Sequence, residues 1–141
     1  MFELDPRLAA DCVTLGDFDL CRLLLMNDGG YPWCILVPRI RGASEIHALS
    51  QGDRYRLCDE SARLSAWMAS VFGAHKMNVA ALGNVVPQLH VHHVVRFPGD
   101  PAWPGPVWGH RAPVPYTPEA LAALWAKLDA APPEGLTVAA H

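Results

Sequence analysis

The sequence predicts an α+β domain built on an antiparallel sheet of about five strands, with one long helix and a C-terminal helix. Two observations carry that expectation. Short apolar, β-branched runs lie on both sides of a single long helical segment, and a second helix with its own N-cap comes only near the end. A Gly16-Asp17 step between the first two apolar runs is a hairpin signal, which makes those strands antiparallel neighbours.

Each element has a local cause. Asp5-Pro6 is a helix-start pair that opens a short N-terminal helix through Ala10. Residues 12–15 and 18–26 read as strands joined around Gly16-Asp17, and Asn27-Asp28-Gly29-Gly30 ends the second with residues that tolerate positive φ. Trp33–Pro38 is a continuous apolar strand. Ser44-Glu45-Ile46-His47 is a short helical start, and a longer helix runs from about Ser50 to Phe72 and closes at Gly73. Leu57, Leu64, Met68 and Val71 recur at spacings of seven, four and three, which puts them on one buried stripe. Residues 76–82 form the next strand, 83–87 a loop, and 88–97 a strand that pairs antiparallel with its predecessor. Trp103-Pro104-Gly105-Pro106-Val107-Trp108-Gly109 is too regular in its aromatics for a plain linker and reads as an ordered loop. Thr117-Pro118-Glu119 supplies an N-cap, a proline at the first helical position and an acid in the first turn of a helix that ends near Ala131. Pro132-Pro133 stops it, so residues 1–131 are one domain and 132–141 a loose tail.

Composition narrows the function classes. A chain of 141 residues, 51% hydrophobic and 18% charged, carries a core that needs no disulfide. The net charge of -3 and a pI near 6.1 leave no basic field for a nucleic-acid polymer, whereas a small nucleotide needs none. Cys12, Cys21, Cys34 and Cys58 show no CxxC spacing and read as free buried thiols of a reducing compartment. Glu3 and Asp5 precede any apolar run and no stretch approaches transmembrane length, so the expected location is cytoplasmic, with no membrane partner.

The densest chemistry lies in Gln88-Leu89-His90-Val91-His92-His93-Val94-Val95-Arg96. On an extended segment Gln88, His90 and His92 project from one face, and Leu89, Val91 and Val95 from the other. Two strand histidines satisfied by backbone are the plain alternative. A polar trio on one face, following a loop that carries asparagine, favours a site. His93 falls on the apolar side, where a hydrogen-bond partner or a subunit contact suits it better than catalysis. A His-x-His pair also suits zinc, but no third ligand lies at a usual spacing, so no metal is expected. His47, His75, His110 and His141 lack convergent partners and read as surface residues.

This segment resembles the signature of the histidine triad (HIT) superfamily, His-φ-His-φ-His-φ-φ followed shortly by arginine, and the resemblance covers roughly residues 2 to 110. Anchored on Arg96, His92 matches the third histidine and His90 the middle one, and Gln88 replaces the first. Leu23-Leu24-Leu25-Met26-Asn27 and the strand ending in Val37-Pro38 are similar to the family's nucleoside-binding segment. Asn78 and Gly83-Asn84 are similar to the loop that contacts ribose and phosphate. The resemblance implies a HIT-like fold, a small nucleotide substrate, no cofactor, and a homodimer whose sheets join across the subunits. Trp33 stands where many relatives carry a histidine near the nucleoside; it stacks on a base or fills the pocket. Val85 stands where many place a serine against phosphate.

The chemistry expected is attack at the α-phosphorus of a small nucleotide derivative. His90 is the nucleophile, giving a nucleotidyl-histidine that water hydrolyses; His92 and Gln88 orient and stabilise, and Asn27, Asn78, Asn84 and Trp33 hold the nucleotide. Asn27 and Asn78 also suit simple turn and strand-end roles. The alternative is a nucleotide-binding regulatory or scaffold protein that keeps the pocket and has lost useful catalysis, motivated by Gln88, Trp33 and Val85.

Overall fold

The Asp5 carboxylate accepts the Arg7 amide at 2.8 Å and Pro6 takes the first helical position, so the chain enters α1 (Pro6–Asp11) as its sequence dictates. The computed structural model describes residues 1–141. After α1 come β1 (Cys12–Asp17), β2 (Cys21–Met26), β3 (Trp33–Pro38), a 3-10 turn (Ile46–Ala48), α2 (Gln51–Phe72), β4 (Lys76–Ala80), β5 (Val91–Arg96), α3 (Pro118–Ala130) and β6 (Thr137–Val138). All strands join one antiparallel sheet in the order β4-β5-β3-β2-β1-β6.

The central strands β2, β3 and β5 are buried on both faces, which is why β2 and β3 read as nearly unbroken apolar runs. One face packs Cys21, Leu23, Leu25, Leu36, Val91 and Val95 against Leu57, Leu64 and Met68 of α2 and Leu124 and Leu128 of α3. The other packs Leu24, Trp33, Ile35, Val37 and Val94 against Leu8 of α1 and Ala102 and Val107 of the loop after β5. Leu23, Leu24 and Leu25 are each 0% exposed, and full burial of one such side chain stabilises the fold by about 1.5–3 kcal/mol. The stripe predicted on α2 is the core-facing one, with Val71 only half-buried. Glu60 lies on the same stripe and is buried because its carboxylate accepts the Leu20 and Cys21 amides at 2.9 and 2.8 Å.

Several boundaries differ from expectation for identifiable reasons. The hairpin between β1 and β2 turns at residues 18–20, because Gly16 and Asp17 pair with Leu23 and Arg22 after a bulge at Leu15. Gly16 also pairs with Val138, and a Cβ there would collide with the Thr137 carbonyl oxygen. The tail expected to be loose thus supplies the sixth strand. His141 stacks on Trp125 with centroids 3.8 Å apart and pairs with Asp129 at 2.9 Å. Neither Gly29 nor Gly30 adopts positive φ. They are small because the chain passes close by: the Gly29 amide donates to the Val114 carbonyl at 2.6 Å, and Arg111 abuts Gly30. Cys21 and Cys34 are buried as expected and Cys12 partly so, but Cys58 is exposed on α2. Burial pushes the Cys12 and Cys34 thiols up to about 12. No helix is long and apolar enough to cross a membrane.

Candidate active site

β5 begins at Val91 and sits between β3 and β4, so His92 is pinned opposite Ile35 on one side and Ala80 on the other. Its neighbour His93 points to the α2 face and His92 to the face of Trp33 and Val94. The strand alternation expected from the sequence is therefore observed for these two residues. His90 precedes the strand and is positioned through Leu89, whose amide donates to the Ala43 carbonyl at 2.9 Å. The His90 and His92 rings lie edge to face with centroids 4.9 Å apart.

Hydrogen bonds set the tautomer of each ring. His90 Nδ1 lies 2.7 Å from the Gln88 carbonyl oxygen, which can only accept; Nδ1 therefore carries the proton and Nε2 keeps a lone pair. His92 Nδ1 lies 3.0 Å from the Trp33 indole nitrogen, which can only donate, so Nδ1 is bare and the neutral ring holds its proton on Nε2. Burial first, and then the neighbouring His90 and His93, push His92 down to about 3. His93 is fully buried; its Nδ1–H donates to the Val91 carbonyl at 3.0 Å and its Nε2 accepts from the Ser61 hydroxyl at 2.6 Å. Burial pushes His93 down to about 4. It is a core residue with two partners, one more than expected.

In front of His90 lies a cleft of about 430 Å³ lined by residues 44–47, 81–83 and 88–90, a size suited to a small ligand. Its one carboxylate is Glu45 and no lysine or arginine lines it. Ser44, Glu45 and His47 were not singled out as site residues by the sequence. They lie more than forty positions before His90, and the Leu89–Ala43 hydrogen bond ties the two segments together.

The other predicted site residues separate into those near the cleft and those that build the frame. Gln88 does line the cleft, but its amide is committed elsewhere: Oε1 accepts the Asp5 amide and Nε2 donates to the Glu3 carbonyl, both at 2.8 Å. It lies before β5, outside the paired strand, and ties the N-terminal segment to the site. Trp33 is 5% exposed and packed against Tyr31, Trp108 and His92, so it offers no open face for a base; it fills the pocket and holds His92. Asn27 accepts the Tyr116 amide at 2.9 Å, and Asn78 accepts from Arg96 Nη1 at 2.8 Å; both are structural anchors. Asn84 is exposed in the loop between β4 and β5, next to the cleft-lining Gly83. Val85 is 74% exposed. Arg96 is 1% exposed and forms a bidentate pair with Asp100 at 2.8 and 3.0 Å, fixing the loop that covers Trp33. No group of three or more His, Cys, Asp or Glu side chains gathers as a metal site requires.

The fold recurs in known proteins. The family model described as HIT domain matches residues 7–99. No curated protein matches the chain. Among solved structures, a histidine triad protein from Marinobacter aquaeolei VT8 is 57% identical, covers 97% of this chain and 99% of its own, and superposes with a TM-score of 0.92. A histidine triad (HIT) protein from Sinorhizobium meliloti 1021 is 41% identical over 92% of this chain and 96% of its own, with a TM-score of 0.89. A histidine triad protein from Bradyrhizobium japonicum is 39% identical over the same shares, also at 0.89. With a family match over most of its length and near-complete overlap with three histidine triad structures, the chain belongs to the HIT domain family.

Proposed function

We propose that the protein is a nucleotide hydrolase or nucleotidyl transferase that acts at the α-phosphorus of a small nucleotide derivative through a nucleotidyl-His90 intermediate. The observation that supports this most is the 2.7 Å bond from His90 Nδ1 to the Gln88 carbonyl, which leaves the Nε2 lone pair of a cleft-lining ring as the free nucleophile. The HIT family includes hydrolases and transferases, in keeping with that role.

Nε2 attacks phosphorus, the bond to the leaving group breaks, and the ring becomes an imidazolium whose Nδ1–H remains bonded to the Gln88 oxygen. The His92 ring lies 4.9 Å from that of His90, and its Nε2–H is the donor that this reading assigns to a phosphoryl oxygen in the transition state. Water then attacks phosphorus, the P–N pair returns to His90, and the proton passes to solvent. Ser44, Glu45 and His47 form the opposite wall for the nucleotide, and exposed Asn84 is free to approach its phosphate or ribose. A homodimer fits the sheet: β4 is an edge strand, and Val79 on it and Leu82 just beyond it are 49% and 48% exposed. A reducing cytoplasmic setting fits four free cysteines.

A regulatory nucleotide-binding protein is the second reading. Its support is the engagement of the Gln88 amide by residues 3 and 5, which leaves two imidazoles where the family motif has three. Steady-state assays with an AMP phosphoramidate and a diadenosine polyphosphate separate the two. Turnover that falls about 10³-fold or more in His90→Ala supports the enzyme; undiminished turnover in that variant refutes it, and binding without turnover by the unmodified chain selects the regulatory reading.

A further inference from the structure

We propose that Trp33 is a positioning residue that holds His92 as a donor of a hydrogen bond but never of a proton, so that the site expels only leaving groups that depart as stable anions. Nucleotide anhydrides are then the substrate class, and nucleotide amidates are not. The inference rests on reading His90 as the nucleophile.

The Trp33 indole N–H has no acceptor capacity and lies 3.0 Å from His92 Nδ1, with the two residues 5% and 6% exposed. If His92 carried a proton on Nδ1, as the other tautomer or as imidazolium, two N–H groups would face each other in a dry site and both would lose their partner. The ring cannot turn away, because Trp33 and Trp108 flank it at centroid distances of 5.7 and 5.4 Å. His90 and His93 are the other titratable groups facing it, and neither carries negative charge to favour a second proton. His92 therefore keeps a single proton on Nε2, and surrendering it would leave an imidazolate.

The neighbouring position offers no proton either. An amide has none to give near neutrality, and both ends of the Gln88 side chain are engaged. When His90 Nε2 forms its bond to phosphorus, the leaving group takes the electron pair of the broken bond. A phosphate or carboxylate carries that pair as a stable anion. An amine must take up a proton at nitrogen to leave, and neither His92 nor Gln88 supplies one.

The test uses the full chain with ¹⁵N-labelled histidine. Long-range ¹H–¹⁵N spectra between about pH 5.5 and 8 should show His92 Nδ1 unprotonated and Nε2 protonated throughout, and Trp33→Phe should mix the tautomers. In kcat/KM the unmodified chain should prefer ADP or a diadenosine polyphosphate over an AMP amidate by about 10²-fold or more, and Trp33→Phe should narrow that ratio about tenfold. A protonated Nδ1 in the unmodified chain would overturn the inference. So would equal rates on amidate and anhydride, or a His47→Ala variant that selectively abolishes amidate cleavage, since it would reveal another proton source. If no substrate turns over at all, the reading of His90 fails, while the spectra still decide the role of Trp33.

Discussion

His90 donates its Nδ1–H to the backbone carbonyl of Gln88 at 2.7 Å, and the Gln88 side chain reaches the opposite way, to Glu3 and Asp5. Residue 88 thus orients the nucleophile through its backbone and anchors the N-terminal segment through its amide. Gln88→Ala should therefore leave the His90 tautomer intact and cost about 0.5–1.5 kcal/mol, since water can reach the backbone groups it abandons. Gln88→His should destabilise similarly, because one imidazole cannot accept and donate along the same two directions, and should not accelerate turnover of an anhydride, whose leaving group needs no proton. Thermal unfolding and kcat measured together check this; a tenfold gain in rate for Gln88→His would put that side chain in the reaction path.

Acid should weaken the fold well above the usual carboxylate range. His92 and His93 are held down to about 3 and about 4, against about 6.5 for an unfolded histidine. Below that unfolded value the unfolded chain binds protons that the native chain refuses, so this stability is present above about pH 6.5 and is lost as pH falls toward the folded values. With two such groups the slope approaches about 2.7 kcal/mol per pH unit near pH 5. Urea midpoints across this window should show it, and His92→Gln should remove about half of the slope.

Arg96 and Asp100 are 2% and 5% exposed at their side chains. Arg96→Met should cost about 3–5 kcal/mol, because it leaves a buried carboxylate without its cation. The hydrogen bond from Arg96 holds the Asp100 carboxyl below its ordinary value, so the pair's stabilisation is lost as pH falls through the carboxylate range. Denaturant titration of the variant is the check, and a loss under 1 kcal/mol would mean that the loop holding Ala102 and Val107 is fixed by packing alone.

Gly16→Val should detach β6, since its side chain would occupy the place of the Thr137 carbonyl. Protease cleavage between residues 131 and 136 should accelerate while the five remaining strands stay protected from hydrogen exchange. Unchanged cleavage would show that the Trp125–His141 stack holds the tail without strand pairing.

The elements with strong local signals were legible in the sequence. Ser50, Thr117 and Gly73 cap their helices as their types require, and Trp33–Pro38 is a strand to the residue. Residues on β5 alternate as a strand must, which placed His92 and His93 on opposite faces. What escaped was tertiary. β6 exists because Gly16 admits a neighbouring backbone, and two tail residues carry too little pattern to announce it. Gln88 looked coplanar with the histidines, but the strand begins three residues later and its amide has better partners at residues 3 and 5. Asn27 and Asn78 were drawn to a ligand by resemblance, and their Oδ1 atoms accept from Tyr116 and Arg96, partners that no local pattern announces. The cleft wall at Ser44, Glu45 and His47 carries no periodicity, so only packing reveals it.

Mass analysis of protein quenched within milliseconds of mixing with a diadenosine polyphosphate tests the account most directly. One added nucleotidyl group, mapped to His90, appearing before free nucleotide accumulates and absent from His90→Ala, is the predicted result. Turnover with no such adduct, or with the group on another residue, would contradict it.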